Sequence, residues 1–212
     1  MTMADVTGHR PALLWSCQPD CLAHAAPATP SPGRAPMRLF VGLDLPWILK
    51  DELYGIAYGL PGARWISPEN YHLTLRFIGD VPGHRADELD LALSTLRARG
   101  FSLVLTGIGI FERAGRSTLY VGVEKNPQLD HLQNKIETGL QRVGLPPERR
   151  RFMPHVTLAR LDGTADNRLA SYVQSHNLFR TDPIPVEHFT LFSSQLGKEQ
   201  SVYTVEADYA LA

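Results

Sequence analysis

From Arg38 to Leu43 the side chains alternate in character. Leu39, Val41 and Leu43 face one way, and Arg38, Phe40 and Gly42 the other, the period-two pattern of a strand. Asp44 and Pro46 then signal a helix start, and Leu49, Leu53, Ile56 and Ala57 recur at helical spacing until Gly59–Gly62 stop them. Trp65 to Pro68 reads as a connector, and Tyr71 to Ile78 as a second strand that turns at Gly79-Asp80 and Pro82-Gly83. A helix follows with Leu89, Ala92, Leu93 and Leu96 on one face, closed by Gly100. The apolar run Phe101–Phe111 is interrupted by Gly107 and Gly109, which predicts a bent or bulged strand, and Ser117–Val123 completes a hairpin with it.

The clearest helix begins at Asn126-Pro127, an N-cap followed by proline at the first helical position. It buries Leu129, Leu132, Ile136, Leu140 and Val143 and stops at Gly144. After Glu148-Arg149-Arg150-Arg151 comes another strand. A short helix over Asp166–Gln174 then carries Leu169, Tyr172 and Val173 inward, and strands near Val186–Ser193 and Val202–Tyr209 close the chain. Strands linked directly to strands, with helices between the others, define an α+β protein of largely antiparallel sheet. Because strand, helix and strand recur in each half, the expected architecture is two-lobed, a pseudo-twofold pair of largely antiparallel sheets with helices packed outside and a central cleft.

Within this frame one phrase occurs twice. Tyr71-His72-Leu73-Thr74-Leu75-Arg76-Phe77 and Pro154-His155-Val156-Thr157-Leu158-Ala159-Arg160 each place a histidine and a threonine two residues apart on a strand. Alternation puts His72 and Thr74 on one face and Leu73 and Leu75 on the other, and the second phrase repeats the arrangement. A lone histidine on a half-buried strand is usually structural. Two His-x-Thr strands, 83 residues apart in a chain with only 8 His, suggest a duplicated unit giving one imidazole from each half.

Two imidazoles facing one cleft can act as base and acid in the same reaction near neutral pH. Threonine hydroxyls beside them can donate to phosphate oxygens, which carboxylates cannot do. That donor set suits in-line phosphodiester chemistry. A metal site is the rival reading, but neither phrase contains a second histidine or a carboxylate at ligand spacing. The sequence leaves open which histidine is the acid.

Composition narrows the picture. Lys plus Arg number 21 and Asp plus Glu 22, so no overall basic excess advertises non-specific nucleic-acid binding, although a locally basic cleft stays possible. The two cysteines, Cys17 and Cys21, fall in the Pro- and Ala-rich stretch 1–36, so the folded part is expected to hold no disulfide or thiolate metal site. That stretch reads as a flexible extension, or as a product of start-codon choice with Met37 where order begins. Cys17, Cys21 and His24 have metal-like spacing but no fourth ligand nearby. No apolar run approaches the roughly 20 residues that cross a bilayer, so no membrane partner is expected and a cytoplasmic location is the default.

His72-Leu73-Thr74-Leu75 and His155-Val156-Thr157-Leu158 resemble the paired H-x-T-x signatures of the 2H phosphoesterase superfamily. Arg38–Val41, Trp65 with Pro68-Glu69-Asn70, Arg76–Gly79, Leu119–Glu124, Phe152–Arg160 and Phe189–Ser194 are similar to its bacterial and archaeal RNA 2′,3′-cyclic phosphodiesterases, formerly called 2′-5′ RNA ligases. The resemblance spans about 37–212. It implies a two-lobed fold and hydrolysis of a terminal 2′,3′-cyclic phosphate on RNA, with tRNA fragments among the candidate substrates, to a 2′-phosphomonoester. No metal or organic cofactor is implied, and a monomer is expected. Related activities on 2′-5′ linkages or small cyclic nucleotides, RNA end joining, and a non-catalytic RNA-end binding module are the alternatives.

By that resemblance His72 is the proton donor and His155 the proton acceptor, while Thr74 and Thr157 bind phosphate. Arg160 matches a basic residue that helps to hold phosphate, although strict alternation places it opposite His155 unless a bulge intervenes. Arg76 shares the parity of His72 and Thr74 and so is expected to point toward the cleft. Phe40 resembles a first-strand aromatic able to stack a terminal base.

Overall fold

The computed structural model describes residues 35–113, 116–197 and 200–212. The readings made for Cys17, Cys21, His24 and nearly all of 1–36 lie outside the described residues. The four helices and seven of the strands follow the expected order, with three short strands, the second, fourth and eighth, added: β1 (Met37–Asp44), α1 (Trp47–Tyr54), β2 (Ala63–Trp65), β3 (His72–Val81), α2 (Gly83–Ser94), β4 (Phe101–Leu103), β5 (Leu105–Arg113), β6 (Arg116–Val123), α3 (Pro127–Arg142), β7 (His155–Leu161), α4 (Asp166–Ser175), β8 (Ile184–Val186), β9 (His188–Leu196) and β10 (Ser201–Ala210).

Two sheets were expected, one for each lobe. Instead one eight-stranded sheet runs β10-β9-β1-β3-β7-β6-β5, with β2 also paired to β7. Its halves meet where β3 lies antiparallel to β7, at the single position Leu73↔Val156. Beyond that point the strands part, and three-residue β2 takes the vacated edge of β7, pairing Ala63↔Leu161 through Trp65↔Ala159. The alternation over Phe101–Phe111 resolves as a change of sheet: β4 pairs with β8, a short strand with too few residues to show a pattern, and β5 pairs with β6. Gly107, at φ 66°, sits where the β5–β6 register shifts.

One core lies behind the sheet. Leu39, Val41 and Leu43 of β1, Leu73 and Leu75 of β3, and Val156 and Leu158 of β7 share it with Leu49 and Leu53 of α1, Leu89 and Leu93 of α2, Leu129, Ile136 and Leu140 of α3, and Leu169 of α4. The faces carrying the histidines are therefore left for chemistry. Helix α3 forms as its sequence dictates: the Asn126 side chain accepts from the backbone N–H groups of Gln128 and Leu129, at 3.0 and 3.2 Å, and Gly144 at φ 83° ends the helix. Helix α1 is shorter than its apolar spacing suggested. Asp44 does not cap it but pairs with Lys50 at 2.8 Å, and Lys50 is itself buried.

Bulges recur at one place in both phrases. The β1–β3 register moves from Gly42↔Thr74 to Val41↔Arg76, leaving Leu75 unpaired; the β6–β7 register moves from Tyr120↔Thr157 to Leu119↔Ala159, leaving Leu158 unpaired. One extra residue reverses the side-chain parity of everything after it. Arg76 is thereby turned into the core, only 7% exposed. It donates to Glu137 of α3 and to the Pro146 carbonyl at 2.6 Å, and lies 3.6 Å from Glu148.

Removing one partner of so shielded an ion pair leaves the other unpaired and costs about 3 kcal/mol, discounted for the partial exposure of Glu137. Arg76→Met should lower the urea midpoint accordingly with an unchanged denaturant slope, and Arg76→Met with Glu137→Met should recover much of the loss. Unaltered unfolding of the single variant would refute a structural ion pair.

Candidate active site

The crossing of β3 and β7 brings the two phrases side by side. Each imidazole is tethered alike: Nδ1 of His72 donates to the Asn70 carbonyl and Nδ1 of His155 to the Met153 carbonyl, both at 2.7 Å and both two residues upstream. An Nδ1 occupied in this way fixes the neutral tautomer and leaves Nε2 of each ring as the group that can take or give a proton. Thr74 and Thr157, each two residues on and half-buried, share the histidines' faces.

Aromatic side chains wall in both rings. His72 lies 4.8 Å from Phe40, 4.9 Å from Tyr203 in an edge-on contact and 6.0 Å from Phe192, measured between ring centres. His155 lies edge-on to Phe111 at 4.8 Å and to Tyr120 at 5.5 Å. Close backbone approach makes room for these walls. A Cβ on Gly109, opposite Tyr120, would come within 2.4 Å of that ring, and one on Gly42 would come within 2.9 Å of the Leu73 carbonyl and 3.4 Å of Phe192.

Burial holds the His72 ring down at about 4; the bond to Asn70 pulls the other way, and the nearby His155 adds to the lowering. Burial lowers His155 as well, opposed by the bond to Met153. Both rings are thus neutral in the free protein near pH 7, and each discourages a proton on the other, so the pair favours at most one.

Three sequence expectations change. Arg76 is not in the cleft, because the Leu75 bulge turns it to the core. Phe40 is on the cleft side but only 3% exposed, stacked on Phe192 at 5.0 Å beneath His72, so it supports the imidazole and offers no open face to a base. Arg160, which strict alternation placed behind the sheet, is turned by the Leu158 bulge to the face of Thr157 and Tyr120, where it is exposed. The same rule applied to β3 brings out Phe77, missed in the sequence: it pairs with Phe40, faces the cleft and is 50% exposed. The equal offset of Phe77 and Arg160, five residues after each histidine, was the available signal. Asp44, read as a helix signal, also stands opposite His72 in the β1–β3 register.

Paired His-x-Thr strands at the centre of an antiparallel sheet, with helices behind, define an α+β protein that presents two matched imidazoles on one face of the sheet. The profile of the 2′-5′ RNA ligase superfamily matches residues 63–198, and the chain belongs to that superfamily, the 2H phosphoesterases. It is 38% identical over 148 residues to an RNA 2′,3′-cyclic phosphodiesterase of Aeropyrum pernix, covering 68% of this chain and 84% of the relative. It is 29% identical over 180 residues to the protein of that name from Escherichia coli K12, covering 83% and 97%. The crystal structure of E. coli LigT in apo form superposes with a TM-score of 0.70 at 27% identity, covering 84% of this chain and 99% of that one; LigT has also been crystallised with 3′-AMP. Among the described residues, no helix is long and apolar enough to cross a membrane.

In the free protein, imidazole NMR should find both rings in the Nδ1–H form at neutral pH. His72 should gain its proton near pH 4 and His155 below 6.5. A midpoint at or above 6.5 for His72 would contradict the enclosure described.

Proposed function

We propose that this protein hydrolyses the 2′,3′-cyclic phosphate at the end of an RNA to a 2′-phosphomonoester, with the two imidazoles as base and acid and no metal. The observation that carries this reading is the matched tethering of His72 and His155. Two free Nε2 atoms on adjacent strands suit a reaction in which one proton is removed and one delivered across a single phosphorus. The names of the relatives supply the substrate, and the donor set agrees with it: two imidazoles, two hydroxyls and the exposed Arg160 address an anionic phosphodiester. Asp44 beside His72 is engaged by Lys50, and among the described residues no three His, Cys, Asp or Glu side chains gather as metal ligands.

In the proposed step, Nε2 of His155 takes a proton from water as its oxygen attacks phosphorus. The bond from phosphorus to the 3′ oxygen breaks opposite the attack, and His72 delivers its proton to that oxygen. The 2′ ester stays intact, so the products are a 2′-phosphate and a free 3′-hydroxyl, and the proton count closes. Thr74, Thr157 and Arg160 hold the non-bridging oxygens, where negative charge is carried in the transition state. Phe77, and not Phe40, presents the open ring on which the terminal base can stack.

The decisive assay is incubation of an RNA bearing a 2′,3′-cyclic end and identification of the hydroxyl that keeps the phosphate. A 2′-phosphate is expected, with activity undiminished in EDTA. A 3′-phosphate product or dependence on added metal would overturn the reading. His72→Ala and His155→Ala should each lose about 10²–10⁴-fold in kcat while substrate binding persists; normal turnover by either would exclude it and leave the RNA-end binding alternative.

The pH dependence follows from the depressed rings. In the free enzyme the singly protonated pair gives way to the neutral pair as pH rises, so kcat/KM should already be falling below pH 6.5, the ordinary histidine value. A bound phosphodiester anion raises both rings, so kcat should hold to higher pH. Coincident alkaline limbs for the two parameters would show that the substrate does not recharge the pair.

A further inference from the structure

We propose that Arg64, standing beside the Arg160 that holds the cyclic phosphate, binds the internucleotide phosphate preceding the cyclic end, making an oligonucleotide a better substrate than a cyclic mononucleotide. This rests on the reaction proposed above and deepens it. In the β2–β7 pairing Arg64 stands directly opposite Arg160, and Arg160 stands opposite Thr118 on the other side. Thr118 is two residues from Tyr120, whose ring lies against His155, so both guanidinium side chains rise from the cleft face. The flanking residues of β2, Ala63 and Trp65, pack toward the core, and Arg64 is the one β2 side chain directed outward.

Like charges directly opposite on paired strands are unfavourable unless an anion lies between them. Little in the protein relieves this pair. Among the described residues no carboxylate reaches Arg160, and the partner of Arg64, Asp162, lies 3.6 Å away with both side chains largely exposed (74% for Arg64), where solvent screens the contact. Of the three arginines on the loop before β7, Arg150 is in a different condition. Its guanidinium lies 5.7 Å from the Phe77 ring and is held in a two-point contact by Glu148 at 3.0 and 3.2 Å, and Glu148 is further tied to Arg76. Burdened by those bonds, Glu148 is held down at about 2, so Arg150 stays neutralised throughout the working range. Arg64 thus adds to Arg160 a second guanidinium whose one carboxylate contact is long and solvent-screened, and a polyanionic strand is drawn toward that pair.

The test compares kcat/KM on a 2′,3′-cyclic mononucleotide and on a short RNA with the same terminal nucleotide. For the wild type the RNA should be preferred. Arg64→Ala and Arg64→Gln should lower the ratio of RNA to mononucleotide about tenfold. They should also flatten the salt dependence on RNA by about 0.7 in the slope of log(kcat/KM) against log salt. Arg150→Ala is the comparison and should leave the ratio where it was. Equal losses on both substrates, an unchanged ratio, or a comparable drop for Arg150→Ala would overturn the role given to Arg64. A wild type unable to open either substrate would defeat the reaction itself, and that result is visible before any variant is compared.

Discussion

Leu73 and Val156 are the only residues through which β3 and β7 are paired, and the chemistry of the molecule is arranged around that one rung. Because side chains alternate on a strand, pairing these two apolar residues into the core obliges the neighbours on either side of each to face the other way. Those neighbours are His72, Thr74, His155 and Thr157. Antiparallel crossing sets each histidine beside the other strand's threonine. A longer ladder would hold the strands parallel to one another and close the space between them. Parting after a single rung opens the cleft and frees the edge of β7 for β2.

How much of this was legible depended on whether parity held. Where it did, single residues sufficed: Asn126, Pro127 and Gly144 marked α3 to within two residues, and Leu73, Leu75, Val156 and Leu158 went to the core as their spacing required. Past the threonines it failed, because a bulge adds a residue without altering composition. Arg76 and Arg160 both carry charge just past a His-x-Thr phrase, and nothing in their identity says that one turns inward to Glu137 and the other outward to solvent. Phe40 failed differently. Its face was foreseen, but its exposure depended on Phe192 and Tyr203, some 150 residues later in the chain, closing over it. Strand β2 was too short to show periodicity, so Arg64 could be placed only through its partner.

The bulges also show where the two halves stop being equivalent. At the position after the bulge one half has Arg76 and the other Ala159; at the next, one has Phe77 and the other Arg160. Symmetry is kept for the histidines, the threonines and the carbonyl tethers, which any two-proton chemistry at phosphorus needs in duplicate. It is given up one step outward, where an aromatic ring and a guanidinium present different surfaces to a ligand. A nucleotide has such a division itself, with a base to stack and a phosphate to neutralise.

The same inequality bears on the proton. Two rings that disfavour each other's charge accept at most one proton between them, and the more enclosed ring, His72, is the less willing to carry it. On the proposed assignment the productive state has the proton on His72, so the free protein favours the wrong member of the pair. A bound phosphate corrects this by placing its negative charge against both rings and most strongly where least solvent intervenes, which is beside His72. Once protonated there, His72 is the stronger acid of the two for the same reason that it was hard to charge, and His155, less enclosed, is the stronger base. On the proposed assignment, enclosure by Phe40, Phe192 and Tyr203 suits His72 to the donor's part, and substrate charge supplies what the walls withhold.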